Sequence, residues 1–153
     1  MRKGRRCWVE IDLSAIEDNV AAIRQNLNEN TAFCAIVKGD AYTHGARAVA
    51  RMLDDNDGVD FFGVACYDEA VDVRAGGAKK PILILGDTDS ALAQDMEYQN
   101  IAQCCWSIRY AKKLDDEMAG SGRRLKVHMK IDSGLSRLGI VNHEEEDFEP
   151  ALE

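Results

Sequence analysis

The stretch Cys34-Ala35-Ile36-Val37-Lys38-Gly39-Asp40-Ala41-Tyr42-Thr43-His44-Gly45 decides how the chain is read. Its apolar start, Cys34 to Val37, has the length and composition of a buried strand. The run stops on a lysine. A loop of glycine, aspartate, tyrosine, histidine and glycine follows at once. In α/β proteins the carboxyl ends of strands are where chemistry is placed, so a strand ending this way marks a candidate site. Side-chain alternation puts Cys34, Ile36 and Lys38 on one face and Ala35 and Val37 on the other. In a barrel the Lys38 face is the interior one. The alternative is a strand that ends on a solvated lysine, as most lysines are solvated.

Upstream, Ser14-Ala15-Ile16-Glu17 has the form of a capping box. Ile16, Val20, Ile23 and Leu27 follow at helical spacing, so the sequence predicts a helix to about Leu27. Downstream, Ala46, Val49, Ala50 and Leu53 form a second helical stripe. Phe61–Ala65 reads as a strand and Glu69–Ala75 as a helix stopped by Gly76-Gly77. Ile82–Leu85 is a third strand. Ser90 caps a thin helix through Met96. Ile101–Cys104 is a weaker strand, and Ser107 caps a helix bearing Ile108, Ala111, Leu114 and Met118. Leu125–Ile131 is a fifth strand before the loop Asp132-Ser133-Gly134.

Strand and helix therefore alternate at a spacing of roughly twenty to twenty-five residues, the mark of βα units on a parallel sheet. The fold class is α/β of (β/α) barrel type. About five βα units are present, so the expectation is a partial TIM barrel. A complete (β/α)8 barrel needs eight units and ~250 residues. Either the five strands make a smaller open sheet with two unpaired edges, or the chain is part of a longer protein. Glu144-Glu145-Glu146-Asp147 is placed to begin another helix. No G-x-G-x-x-G or G-x-x-x-x-G-K-[ST] follows a strand, which weakens a nucleotide-binding doubly wound reading.

At 153 residues there is one domain's worth of chain. A formal charge of −8 disfavours non-specific binding to nucleic acid or to an anionic membrane. The basic start Met1–Arg6 is followed by acids where a signal peptide needs an apolar run, and no stretch is long enough to span a bilayer. The odd set Cys7, Cys34, Cys66, Cys104 and Cys105 contains no C-x-x-C and reads as buried free thiols of a reducing cytoplasm. His44, His128 and His143 lack metal-ligand spacing, so no metal is expected.

The fifth strand repeats the pattern of the first. His128, Lys130 and Asp132 share one face and Val127, Met129 and Ile131 the other. Beyond lies Ser133-Gly134-Leu135-Ser136-Arg137-Leu138-Gly139, a tight turn that aims Arg137, a residue suited to carboxylates and aromatic oxygens. If both polar faces meet in one barrel mouth, Lys38, Lys130 and Arg137 crowd together. An unpaired buried ammonium costs several kcal/mol, so an anionic ligand or a chemical change on one lysine is expected. The alternative is that Arg137 covers a helix end while His128 and Lys130 are solvated.

These motifs, taken together and in register, resemble the N-terminal part of the alanine racemase family. The segments concerned are Trp8–Leu13 with Ile16 and Asn19-Val20, Val37–Gly45, Phe62–Ala65 with Asp68-Glu69-Ala70, Pro81–Gly86, and Val127–Gly139. The resemblance covers nearly the whole chain. It implies that residues 1–153 are the N-terminal part of a (β/α)8 barrel that binds pyridoxal 5'-phosphate, with a C-terminal β domain absent. It implies a cytoplasmic isomerase that interconverts L- and D-alanine, supplies D-alanine for peptidoglycan, and is a homodimer at full length.

By the same resemblance Lys38 would hold the cofactor as a Schiff base and act as one of two catalytic bases. Tyr42 would bind the cofactor phosphate, and Leu85 would line the cofactor site. Arg137 would contact the phenolic oxygen of the cofactor and the substrate carboxylate. Lys130 matches a lysine that is carbamylated in many members, which would turn one of the crowded cations into an anion beside Arg137. The opposing tyrosine, the arginine on the pyridine nitrogen and most phosphate-binding groups of the family lie beyond residue 153, so low activity is expected of this chain alone. Gly39 stands where alanine is usual, and Thr43 and Ser136 stand where glycine is usual. If Thr43 is left-handed, that change costs stability. Two other readings remain at this point: a serine or broad-specificity racemase, and a cofactor-free remnant or βα module that docks on a partner chain.

Overall fold

The computed structural model describes residues 7–141. The basic start, His143 and the expected helix at Glu144–Asp147 lie outside the described residues. The first helix, α1, spans Leu13–Arg24. Asp12 caps it: the carboxylate accepts from the Ser14 and Ala15 amides and from the Ser14 hydroxyl. The capping box expected at Ser14 is therefore displaced by an N-cap two residues earlier. The helix also stops short of Leu27. Arg24 turns away to donate to the carbonyls of Gly58 and Thr31 and to the Asp60 carboxylate, which fixes the end of the helix.

The chain continues through β1 (Cys34–Ile36), a short helical turn α2 (Lys38–Thr43), α3 (Ala46–Asp54), β2 (Phe61–Val64), α4 (Tyr67–Ala75) and β3 (Ile82–Ile84). A 3-10 turn at Ser90–Leu92 leads into α5 (Ala93–Tyr98), then β4 (Ile101–Cys105), α6 (Ile108–Met118) and β5 (Val127–Met129). A separate pair, β6 (Ile131–Asp132) and β7 (Ile140–Val141), follows. The five strands β1 to β5 form one parallel sheet in sequence order. A doubly wound sheet reverses direction at a switch point. This one never reverses, so it winds as a (β/α) barrel does, and the structure is a partial barrel.

Parallel sheets bury both faces, which explains the near-continuous apolar strands. On the helix side Phe62, Val64, Ile82, Ile84 and Ile101 are fully buried among Val49, Ala50, Leu53, Ala70, Val73 and Met96. On the other side Leu83, Ala102 and Cys104 form a second cluster with Phe61 and Leu85. The strand read as weak, β4, is buried along its whole length. In α6 the buried stripe is Tyr110, Leu114 and Met118, while Ala111 is exposed. Tyr110 is drawn inward because its hydroxyl donates to the Thr88 carbonyl at 2.7 Å. The turn before α5 is capped by Asp89 on the Ala91 amide, not by Ser90.

The fifth strand was expected to run unbroken from Leu125 to Ile131. It breaks at Lys130, whose amide donates to Cys105 while its carbonyl accepts from Ile140, each at 2.8 Å. Lys130 is thus the joint between two sheets. Both sheet edges are open among the described residues, at β1 and β5. Val127, Met129 and Ile131 are 49%, 50% and 41% exposed. No disulfide forms among the described cysteines. Cys104 and Cys105 are buried and Cys34 half-buried, but Cys7 and Cys66 are exposed, against the expectation of buried thiols throughout.

The loop after β1 is the least ordinary backbone in the fold. Gly39, Asp40, Ala41, Tyr42 and Thr43 all have positive φ, from 51° to 72°. The turn α2 is therefore left-handed. Such a conformation costs roughly 1–2 kcal/mol per residue with a Cβ. Hydrogen bonds hold it: Ala41 to Val37 at 2.9 Å, His44 to Ala41 at 3.1 Å and Gly45 to Asp40 at 2.9 Å. Ala41 is buried beneath it. Thr43 meets the condition under which its replacement of glycine costs stability: it sits in the left-handed region, and so does Ser136 at φ 55°.

Two outcomes follow for stability. A Cβ at Gly86 would lie 2.5 Å from the Ala65 carbonyl oxygen, a backbone atom that cannot swing aside. Gly86→Ala should therefore cost about 1–3 kcal/mol in urea unfolding. Thr43→Gly should move the midpoint the other way, by about 1 kcal/mol, since the relief of left-handed strain exceeds the roughly 0.4–1 kcal/mol of added unfolded-state entropy. A Thr43→Gly protein no more stable than the parent would show that the hydrogen bonds already absorb the strain.

Candidate functional site

Because all five strands run parallel, their carboxyl ends lie at one rim. Lys38 follows β1, Leu85 follows β3, and Lys130 follows β5. Val37, just before Lys38, is buried in the helix-side core. Leu85 packs on the opposite cluster, against Phe61 and Cys104. Lys130 is close enough to the Cys104 thiol to oppose the rise that burial gives its pKa. The face that carries Cys104 and Leu85 is thus the face that Lys130 reaches. Cys34, on the same face, has its thiol pushed up to about 11, by burial first and by Cys104 second. Both groups stay neutral near pH 7.

Lys38 and Lys130 are half-buried and Arg137 is exposed. Among the described residues none of the three makes a side-chain hydrogen bond or ion pair; the ion pairs recorded are Arg24–Asp60, Arg47–Asp72 and Arg123–Glu97, all elsewhere. Carboxylates are not scarce at the rim. Four of them are engaged by other donors. Asp40 accepts from the Ala46 amide at 2.7 Å. Glu69 accepts from the Gly39 amide at 2.8 Å with one oxygen and from the Ala65 amide at 2.7 Å with the other. Asp87 accepts from the Trp106 indole. Asp132 accepts from the amides of Gly134 and Ser136, which hold its carboxyl below the usual carboxylate range.

This division decides what the rim can do chemically. The acids shape the loops, and the cations keep their capacity for a ligand. Tyr42, on the left-handed turn, is 59% exposed, so its hydroxyl is open to an approaching group. Arg137 rides on the loop that Asp132 folds. Gly139, at φ 146°, closes that loop so tightly that a Cβ would lie 2.6 Å from the Asp132 amide nitrogen.

Of the residues singled out in the sequence, Lys38, Leu85 and Lys130 lie at the rim, and Tyr42 and Arg137 lie on the loops that leave it. Glu69 and Asp40 carry the loop geometry, and sequence reasoning assigned neither a role. For Glu69 the available signal was a carboxylate in the first turn of a predicted helix. His44 was noticed, but its task is local: Nδ1 lies 2.9 Å from the Ala41 carbonyl and 3.0 Å from that of Tyr42. No group of His, Cys, Asp and Glu among the described residues is arranged to hold a metal ion.

Comparison with known proteins adds identity to this geometry. Residues 11–152 match the family model described as alanine racemase, N-terminal domain. Alanine racemase 1 of Caldanaerobacter subterraneus subsp. tengcongensis is 42% identical over 134 residues, which covers 88% of this chain and 34% of that protein. The solved alanine racemase of Clostridium difficile 630 superposes with a TM-score of 0.84 at 34% identity, covering 90% of this chain and 36% of that one. A histidine racemase from Leuconostoc mesenteroides subsp. sake superposes at 0.78 with 31% identity, covering 90% and 36%. The chain thus spans about a third of the length of the relatives it matches. The chain, matched by that model over residues 11–152, belongs to the alanine racemase N-terminal domain family.

Proposed function

We propose that this chain is the lysine-bearing part of a pyridoxal-phosphate-dependent alanine racemase. The observation that carries the reading is the set of Lys38, Lys130 and Arg137 at one end of the sheet, with the neighbouring carboxylates of Asp40, Glu69 and Asp132 engaged by backbone amides. The groups present suit the cofactor: a primary amine without a hydrogen-bond or ion-pair partner among the described residues, an open tyrosine hydroxyl, a guanidinium and an apolar wall at Leu85. The bound cofactor would supply an electron sink for negative charge developing at an amino acid α-carbon.

Lys38 would bind the cofactor covalently through its amine and, once released from it, carry a proton to or from the α-carbon on one side. The Tyr42 hydroxyl would donate to the phosphate. Arg137 would orient the phenolic oxygen of the cofactor and pair with the substrate carboxylate, a geometry its planar fork favours. Leu85 would exclude water from one wall. On Lys130, the ammonium would first lose a proton, and the free amine nitrogen would then bond the carbon of carbon dioxide and release a second proton to solvent, giving a carbamate that pairs with Arg137. That converts one of three like charges into a counter-ion. A base on the opposite side, needed to invert the centre, would come from the C-terminal domain of a second subunit in a full-length homodimer.

Residues 1–153 would on this reading be the first part of a (β/α)8 barrel, in a cytoplasmic protein. Among the described residues no helix is long and apolar enough to cross a membrane. The likeness to a histidine racemase favours keeping a broader amino-acid substrate in view. The open edges at β1 and β5 favour a second reading, in which the chain docks on a partner that supplies the missing strands.

Two measurements separate these. Pyridoxal phosphate added to the purified chain, reduced with borohydride and mapped by mass spectrometry, should label Lys38; Lys38→Ala should abolish the visible band of the lysine-bound cofactor. Labelling spread evenly over the surface lysines would favour the cofactor-free docking module. The 153-residue chain assayed alone for alanine racemisation should show little turnover, because on this reading the opposing base would come from the C-terminal domain of a second subunit. Turnover near that of a full-length racemase would reject that assignment of the second base.

A further inference from the structure

Glu69 is a rim carboxylate that ties two βα units together through their backbone amides. It sits in the first turn of α4, where an acid is ordinarily explained by the helix dipole or by reaching back to its own N-cap amide. Here neither explanation suffices. One oxygen reaches back to Ala65, at the end of β2, and the other crosses to Gly39, the residue directly after Lys38. Ala65 in turn accepts from the Gly86 amide through its carbonyl at 3.1 Å. A single carboxylate therefore links the carboxyl ends of β1 and β2 directly and that of β3 through Ala65.

We infer that Glu69 is a positioning residue for Lys38, an inference that rests on the cofactor reading for its purpose but not for its test. The left-handed turn begins at Gly39, and the Gly39 amide has no partner within the turn. Without an acceptor the first residue of a strained segment is free to relax toward the right-handed region, carrying the lysine with it. Both neighbours of Glu69 are N–H donors, so the side chain must accept twice. Glutamine offers one acceptor and one donor, and its NH2 would face an N–H. Aspartate, one methylene shorter, can reach only one of the two amides. The chemistry of the position demands glutamate, although Lys38 and Glu69 form no ion pair with each other.

The test uses the whole chain with Glu69→Gln and, should that variant fold poorly, Glu69→Asp. Hydrogen exchange at Gly39 and Ala65 should accelerate about tenfold or more at one or both amides, since a charge-assisted bond is lost, while amides of β3 and α6 keep their protection. Competitive acetylation across pH, which needs no cofactor, should move the reactivity of Lys38 toward that of exposed Lys112 and Lys113. Borohydride trapping of pyridoxal phosphate at Lys38 should fall in parallel. Unchanged exchange at both amides overturns the inference, as does faster exchange with unaltered Lys38 reactivity. If exchange and acetylation change as stated but the parent chain traps no cofactor at Lys38, the clamp stands and the cofactor reading falls.

Discussion

Five consecutive residues of positive φ cannot persist unless something outside them insists on it. In this protein the insistence comes from hydrogen bonds at both ends of the turn. Glu69 holds the Gly39 amide at the start, and Asp40 and the Gly45–Asp40 bond close the end. The consequence is geometric. A right-handed continuation after Val37 would extend an ordinary helix away from the sheet. The left-handed turn instead folds back over buried Ala41 and delivers Ala46 directly into α3. Lys38 is held between a buried valine and a rigid coil, which limits the conformers its long side chain must give up on binding.

Much of the fold was legible because the local signals agree with the global one. Ala46, Val49, Ala50 and Leu53 lie on one stripe and are all buried. The strands Phe61–Val64 and Ile82–Ile84 are apolar because both faces of a parallel sheet are covered. The two misplaced caps, at Asp12 and Asp89, are shifts of one or two residues, but in the larger misreadings a distant partner outvoted a local pattern. Arg24 ends α1 by reaching across to Gly58 and Asp60. Tyr110 enters the core because Thr88, more than twenty residues away, offers a carbonyl. Lys130 breaks its strand because Ile140 competes for its carbonyl. None of these partners is visible in a window of local periodicity.

The site was legible to a different degree. A lysine that ends an apolar strand and an arginine set between glycines are visible as residue types. Thr43 and Ser136 were readable as departures from glycine, strain was anticipated at Thr43 on the condition of a left-handed backbone, and both fall in the left-handed region. What could not be read was the division of labour among the acids. With 27 acidic residues in the chain, nothing local marks Glu69 or Asp132 as different from the rest. Their role appears only when two βα units, or two ends of one loop, are brought within hydrogen-bond distance.

That division has a consequence for binding. A rim lysine paired with a carboxylate would have to break the pair before it could meet an anion, and one half of the pair would then remain buried without a partner. Here Asp40, Glu69 and Asp132 are already satisfied by backbone amides, so an anionic group can approach Lys38, Lys130 and Arg137 without breaking an ion pair among the described residues. The same amide bonds that quiet the carboxylates also stiffen the loops beneath the cations. Neutralising Glu69 or Asp132 would therefore be expected to disturb anion binding in a direction opposite to simple charge counting. Removing a nearby negative charge should favour an anion electrostatically, yet the loss of loop geometry should weaken its grip. Which effect dominates follows from the distances: the charges are screened by solvent at the open rim, while each amide bond is direct, at 2.7 to 3.0 Å. Geometry should prevail, and the acids of this rim act through the backbone they hold.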